Sequence, residues 1–177
     1  MTVLLTILLV FAILIAFLLF LALITKKEYA IEREIVINKS TQVVFDYVKL
    51  IKNQEKYNVW VMKDPNVKID YMGIDGTKGF VSAWEGNKQA GKGEQEIKEI
   101  NNGKGLNIEI RFEKPFENIG QTYFTTTPVS ENETSLKWQM IGKNKFPLNL
   151  MNLIIDGLLG KDMQKSLVNV KGILETI

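Results

Sequence analysis

The chain has 177 residues, 46% of them hydrophobic, with 22 lysines and arginines against 20 aspartates and glutamates and neither cysteine nor histidine. The two zeros exclude disulfides, thiolate nucleophiles, Cys/His metal sites, an imidazole base and a Ser-His-Asp triad, so any acid–base step falls to Asp, Glu, Lys or Tyr. A net charge of +2 without a concentrated basic face argues against a nucleic-acid partner, and the length suits one folded core.

Residues 1–24 carry no charge and only Thr2 and Thr6 interrupt the hydrophobic run, whereas residues 25–177 hold every charged side chain. Val3 to Ile24, free of Pro and Gly, makes ~33 Å of helix at ~1.5 Å per residue, enough to cross a ~30 Å hydrocarbon core. A cleaved signal peptide would want a positive start, a shorter apolar run and a small-residue cleavage site, none of which Met1-Thr2 or Leu23-Ile24-Thr25 offers. The expectation is therefore a retained membrane helix over 1–25, single-pass in the cell membrane. Lys26, Lys27, Arg33 and Lys39 follow it and no basic residue precedes it, which by the positive-inside rule places the C-terminal part in the cytoplasm. Residues 26–28 read as a short tether that keeps a domain over 29–177 against the bilayer.

Within that domain Tyr29, Ile31, Ile35 and Ile37 share one parity and Glu32 and Glu34 the other, the pattern of a half-buried strand. Arg33 falls on the apolar parity, and an edge position in solvent is the preferred reading. Ser40 then opens a helix over 41–51 with Val43, Val44, Tyr47, Val48 and Ile51 at helical spacing, and a second short helix runs through Tyr57. After the turn Asp64-Pro65-Asn66, six strands are expected near 67–72, 78–85, 91–100, 105–113, 118–127 and 134–141. Leu106, Ile108, Ile110 and Phe112 alternate with polar neighbours, as do Leu136, Trp138 and Met140, so one face of an antiparallel sheet is apolar and needs a cover. That cover is a long C-terminal helix from Pro147, with a stripe through Met151, Ile155, Leu159, Met163, Leu167, Val170 and Leu174 that Gly157 and Gly160 bend or split.

No nucleotide loop or metal constellation stands out. Gly91-x-Gly93 and Gly103-x-Gly105 open no helix, Glu94, Glu96 and Glu99 with Lys98 read as a solvated strand face, and no cofactor or metal is expected. Glu85, at a strand end beside Trp84, is the one named acid–base candidate, although its turn position favours solvent. Leu148 to Leu159 is apolar except for a narrow stripe of Asn149, Asn152 and Asp156. Its surplus apolar surface either lines a cavity mouth, dips into the bilayer, or lies beneath neighbouring loops.

The order strand, two short helices, about six antiparallel strands, long helix is an α+β helix-grip arrangement. On the segments Ile37-Asn38-Lys39-Ser40, Val44-Phe45-Asp46-Tyr47-Val48, Trp60, Lys63-Asp64-Pro65-Asn66, Ser82-Ala83-Trp84-Glu85-Gly86-Asn87, Lys114-Pro115-Phe116 and Gly160-Lys161-Asp162, residues 29–177 resemble the SRPBCC superfamily. The nearest resemblance is to its START-related, polyketide cyclase/dehydrase-like bacterial members, some with an N-terminal span. The resemblance implies a curved sheet gripping the last helix around a cavity for apolar ligands, with no single conserved reaction. Trp60, Phe80, Trp84, Phe112, Tyr123, Trp138, Met140, Ile155 and Leu159 are the expected lining. The expected partners are the bilayer and a lipid or other apolar small molecule. A cyclase/dehydrase-like enzyme without His or Cys chemistry, or an interaction domain with a filled core, are the alternatives.

Overall fold

A computed structural model describes residues 2–176. An apolar helix, α1 (Thr2–Ile24), leads into strand β1 (Glu28–Ile37), the helix α2 (Thr41–Val48) and two single turns, α3 (Gln54–Tyr57) and α4 (Val59–Met62). Six strands follow: β2 (Lys68–Met72), β3 (Val81–Glu85), β4 (Lys92–Asn101), β5 (Gly105–Lys114), β6 (Asn118–Ser130) and β7 (Glu133–Lys143). A 3-10 segment, Leu148–Leu153, precedes the long helix α5 (Ile155–Thr176). The seven strands form one antiparallel sheet in the order β1-β7-β6-β5-β4-β3-β2. Its two chain-end strands, β1 and β7, meet because β1 pairs with the last strand rather than with β2.

Register explains why one face is apolar. Ile31 lies opposite Met140, Arg33 opposite Trp138 and Ile35 opposite Leu136, so the inward residues of β1 and β7 coincide. Leu106 and Ile108 continue that face in β5, with Ile108 opposite Ile97 of β4. Shifts of register in the β4–β5 pair, at Lys92/Gly93 and Ile97/Glu99, add the local bend that curls a sheet around a helix. Met163, Leu167, Val170 and Leu174 of α5 are buried against this surface together with Val44, Phe45 and Val48 of α2. Deep burial of such side chains contributes ~1.5–3 kcal/mol each, so these two helices carry much of the stability of the grip.

The predicted apolar stripe of the last helix holds from Ile155 onward, with Ile155 and Leu159 half-buried against the core and Met163 fully buried, and fails before the break at Ile154. Leu148–Leu153 winds as a 3-10 segment, and Ile154 (φ −121°, ψ −5°) separates it from α5. At ~3.0 residues per turn the spacing no longer superimposes on an α-helical face, and Met151 points outward, 45% exposed. Both Gly157 and Gly160 lie inside α5, downstream of the break.

Tyr57 is fully buried, and its hydroxyl has no protein hydrogen-bond partner. Burial pushes that hydroxyl far above its ordinary value, with Tyr47 and Asp75 adding to the shift. A tyrosine in the unfolded chain ionises near pH 10, whereas the buried one stays neutral. The associated stability is therefore present below about pH 10 and is lost as pH rises beyond it, at ~1.4 kcal/mol per unit. Tyr57→Phe, which also removes an unpartnered buried hydroxyl, is expected to be at least as stable as the wild type at pH 8 in urea unfolding, and its advantage is expected to grow by ~1 kcal/mol between pH 8 and pH 11.

Candidate ligand cavity

Between the sheet and the helices α4 and α5 lies a cavity of about 310 Å³. Trp60, Trp84, Phe112, Trp138, Met140 and Leu159 line it, joined by Ile110 and Phe124. All three tryptophans of the chain therefore face one space. Trp138, 2% exposed, stacks on Phe124 at 4.9 Å and meets the edge of Trp60 at 5.8 Å. Its indole N–H donates to the Thr122 hydroxyl at 2.7 Å, and that hydroxyl donates to the Gln139 carbonyl at 2.9 Å. Trp84 meets Phe112 edge-on at 5.9 Å and donates to the Ala90 carbonyl at 3.0 Å. Gly93, opposite Trp84 in register, makes room for that ring, since a Cβ there would lie 2.8 Å from it.

Three of the expected lining residues lie elsewhere. Phe80, 1% exposed, precedes β3 and stacks on Tyr71 at 5.8 Å within the packed core. Tyr123 is on the outer face, because the inward residues of β6 are Gly120, Thr122, Phe124 and Thr126. Threonines carry much of that inner face, so counting hydrophobics points to the wrong parity. Ile155 packs against the core without reaching the cavity. Glu85 also falls outside: Trp84 faces inward, the next residue faces solvent, and the Glu85 carboxylate lies 3.9 Å from Lys92 at the surface.

Polar groups gather at two places in the lining. Gln54 and Gln95 exchange side-chain hydrogen bonds at 3.0 and 3.2 Å, and the Asn58 amide donates to Gln54 at 3.3 Å. Lys114, next to Pro115 and the loop residues Gln89, Ala90 and Gly91, is the one ionisable side chain among the lining residues. Gln54, Asn58, Gln89 and Gln95 are not singled out from sequence, and Lys114 only as part of the segment Lys114-Pro115-Phe116, although Gln95 shares its parity with Gly93 and Ile97, an internal amide signal. The loop is held by Asp64, 7% exposed, which accepts from the backbone N–H groups of Asn66 (3.0 Å) and Asn87 (2.6 Å). The two turn motifs around Asp64 and Asn87 thus form one corner of the cavity rim. On the helix side, Ser166 accepts from the Val59 N–H at 3.0 Å and Asn169 donates to the Tyr57 carbonyl at 3.0 Å, which fastens the short helices to α5.

Arg33 lies on β1, an edge strand of the sheet, as expected, but its side chain points over α5 rather than freely into solvent. Its guanidinium donates two hydrogen bonds to the Asp156 carboxylate, at 2.9 and 3.0 Å, one to the Asp156 carbonyl at 3.4 Å and one to the Glu32 carbonyl at 2.7 Å. It lies over Gly160, where a Cβ would collide with it. The pair holds the Asp156 carboxyl below its ordinary value and the guanidinium above. On the opposite face of the sheet, Arg111 binds Glu94 (2.6 Å) and Glu96 (3.0 Å), which turns the expected solvated acidic face into an ion-pair network.

A chain of asparagines leads to the end of α1 from Asn118, the register partner of the lining residue Phe112. Asn118, four residues after Lys114, donates to Asn144 at 3.0 Å, and Asn144 donates to Asn152 at 2.7 Å. Asn152 donates to the carbonyls of Lys26 and Lys27 at 2.9 Å each, and Asn149, fully buried, donates to those of Ala22 (2.7 Å) and Thr25 (2.8 Å). The last carbonyls of a helix lack intrahelical donors, and here side chains from the 3-10 segment supply them. The expected tether is therefore bound along its length. The 23-residue helix α1 is long and apolar enough to cross a membrane.

No protein-family model matches the chain, and no curated protein matches it by sequence. Solved structures do match in shape. Norcoclaurine synthase from Thalictrum flavum, in complex with dopamine and hydroxybenzaldehyde, superposes with a TM-score of 0.64 at 11% identity, covering 86% of this chain and 90% of that one. Ara h 8.0201 gives 0.61 at 12% identity, covering 85% and 99%. Protein CV1439 from Chromobacterium violaceum gives 0.60 at 14% identity, covering 82% and 96%. At these identities the likeness is one of architecture, and it identifies the chain as a helix-grip fold of the kind its resemblance to the SRPBCC superfamily implied.

Proposed function

We infer that the protein is a membrane-anchored binding module for one compact apolar molecule, drawn from the bilayer into the cavity between the sheet and α5. The observation that carries this reading is a cavity faced by all three tryptophans, one of whose lining residues, Phe112, is paired in register with Asn118, from which Asn144 and Asn152 lead by hydrogen bonds to the end of the apolar helix. Ligand pockets run from ~300 to ~1,000 Å³. At about 310 Å³ this one suits a single-chain or fused-ring molecule and would be overfilled by a two-chain phospholipid. The Gln54/Asn58/Gln95 amides or the Lys114 ammonium would orient one polar end of the ligand, while the aromatic walls bind the remainder. Lys26 and Lys27 at the end of α1 favour a cytoplasmic position for the cavity.

The enzymatic alternative has less to work with. Among the described residues neither a carboxylate nor a tyrosine lines the cavity, so proton transfer would rest on Lys114. The norcoclaurine synthase likeness supports a pocket in this part of the fold and carries no reaction over.

Because every tryptophan lines the cavity, intrinsic fluorescence reports its occupancy. An ω-bromoundecanoate added to the full chain in detergent is expected to quench the emission saturably. Ile110→Trp, which fills part of the space from β5, is expected to weaken that probe by roughly tenfold or more.

A further inference from the structure

The segment from Phe146 to Leu158 is amphipathic with its polarity inverted. Asn149 and Asn152, two of its three polar-stripe residues, turn toward the protein onto the carbonyls at the end of α1, while Asp156, itself largely exposed, reaches across to Arg33. The apolar residues turn outward, with Phe146 at 44%, Leu148 at 43%, Met151 at 45%, Leu153 at 65%, Ile154 at 54% and Leu158 at 52% exposure. A soluble surface rarely carries so continuous an apolar patch without a partner. Its position relative to α1 says which partner. Asn149 grips the carbonyl of Ala22, two residues before the helix ends at Ile24, so the segment touches α1 within ~3 Å of its end along the axis. Val3 to Ile24 spans ~33 Å against a ~30 Å hydrocarbon core, so this level is the boundary between acyl chains and headgroups. Lys26, Lys27 and Lys145, all exposed, flank the patch with charge suited to that boundary.

We propose that the outward face of residues 146–158 is a second membrane contact, immersed at the acyl–headgroup boundary of the bilayer that α1 crosses. The asparagine clamp fixes its depth. The proposal rests on the reading of α1 as a membrane span, and it adds that the domain is held flush on the membrane rather than swinging from a tether. On α5 the immersed Leu158 precedes Leu159, which lines the cavity, so the contact brings the cavity wall to the lipid surface.

The chain has no cysteine, so single cysteines label cleanly. Leu153→Cys, Leu158→Cys, Leu14→Cys in mid-α1 and Val129→Cys are each labelled with an NBD fluorophore in the full chain. They are reconstituted into phosphatidylcholine/phosphatidylglycerol vesicles with acyl chains brominated near the headgroup or near the bilayer centre. Val129 is exposed near the far end of β6 from Asn118, ~35 Å away at ~3.3 Å per residue. Labels at 153 and 158 are expected to shift to the blue and lose most of their emission to shallow bromines, the Leu14 label to deep bromines, and the Val129 label to neither. If labels at 153 and 158 behave like the one at 129 while the Leu14 label is quenched, the second contact is overturned and the span stands. If the Leu14 label is unquenched, the span fails and the proposal with it. A blue shift at 153 and 158 that grows with protein density and resists both bromines identifies a second copy of the chain as the occupant and also overturns it.

Discussion

Trp138→Ala is expected to destabilise the domain by ~3–5 kcal/mol, the range for a large buried aromatic cut back to alanine. Three losses combine at this position. The ring is 2% exposed; its stacking on Phe124 and its edge contact with Trp60 both vanish, and such aromatic pairs add ~0.5–1.5 kcal/mol beyond burial. The Thr122 hydroxyl, 2% exposed at the residue level, loses the indole N–H it accepts at 2.7 Å, a bond of ~1 kcal/mol. In a domain of this size the thermal midpoint should fall by roughly 10 °C or more. Trp138→Phe keeps most of the ring and forfeits the N–H, so it should cost far less, ~1–2 kcal/mol. Equal losses for the two variants would mean that the hydrogen bond, and not the packed ring, dominates.

Asn149→Leu is the second large effect, and it acts on the joint between α1 and the domain. The side chain is fully buried and donates to two carbonyls that helix geometry leaves without partners. A leucine of similar size leaves those carbonyls unsatisfied beside apolar atoms, at ~1–3 kcal/mol. The readout is limited trypsin digestion after Lys26 and Lys27, whose carbonyls Asn152 also holds. When cleavage samples a transiently opened state, its rate follows the opening equilibrium, so a roughly 10- to 100-fold faster cut is expected. An unchanged rate would show that the joint is not held by Asn149.

Particular elements show what a single sequence conveys. Strands β1, β5 and β7 were legible because strict alternation of large apolar residues, such as Leu106, Ile108, Ile110 and Phe112, fixes which face is buried. The cavity aromatics Trp84, Phe112 and Trp138 follow from the same parity argument, whereas Trp60, on the single turn α4, has no strand parity to read. Tyr123 was not, because β6 buries Thr122 and Thr126, which look like solvent residues until the Trp138 indole meets Thr122. Phe80 and Ile155 were misread because periodicity reports burial and does not distinguish a packed core from a lined space. Arg33 stood on an inward position for a reason in the sequence 123 residues away, at Asp156. The run Leu148 to Leu159 posed the sharpest question. Its three polar residues are visible in the sequence, but the direction Asn149 and Asn152 face depends on the open carbonyls at the end of α1, which only the assembled fold brings to them.

These features make the asparagine joint and the tryptophan-lined cavity parts of one arrangement. Asn149 and Asn152 fix the end of the apolar helix, and Asn144 and Asn118 continue from there to the strand that follows Lys114. Under the proposed function, a cavity at that position would take up molecules dissolved in the membrane without a journey through water, where an apolar ligand is poorly soluble.

The most direct test of that claim is the ω-bromoundecanoate titration of the full chain, read as tryptophan emission. The predicted result is saturable quenching of the whole emission at one probe per chain, competed away by a membrane-derived apolar molecule and weakened in Ile110→Trp. Linear, unsaturable quenching that is unchanged in Ile110→Trp would contradict it, since the three tryptophans would then enclose a space that no ligand enters.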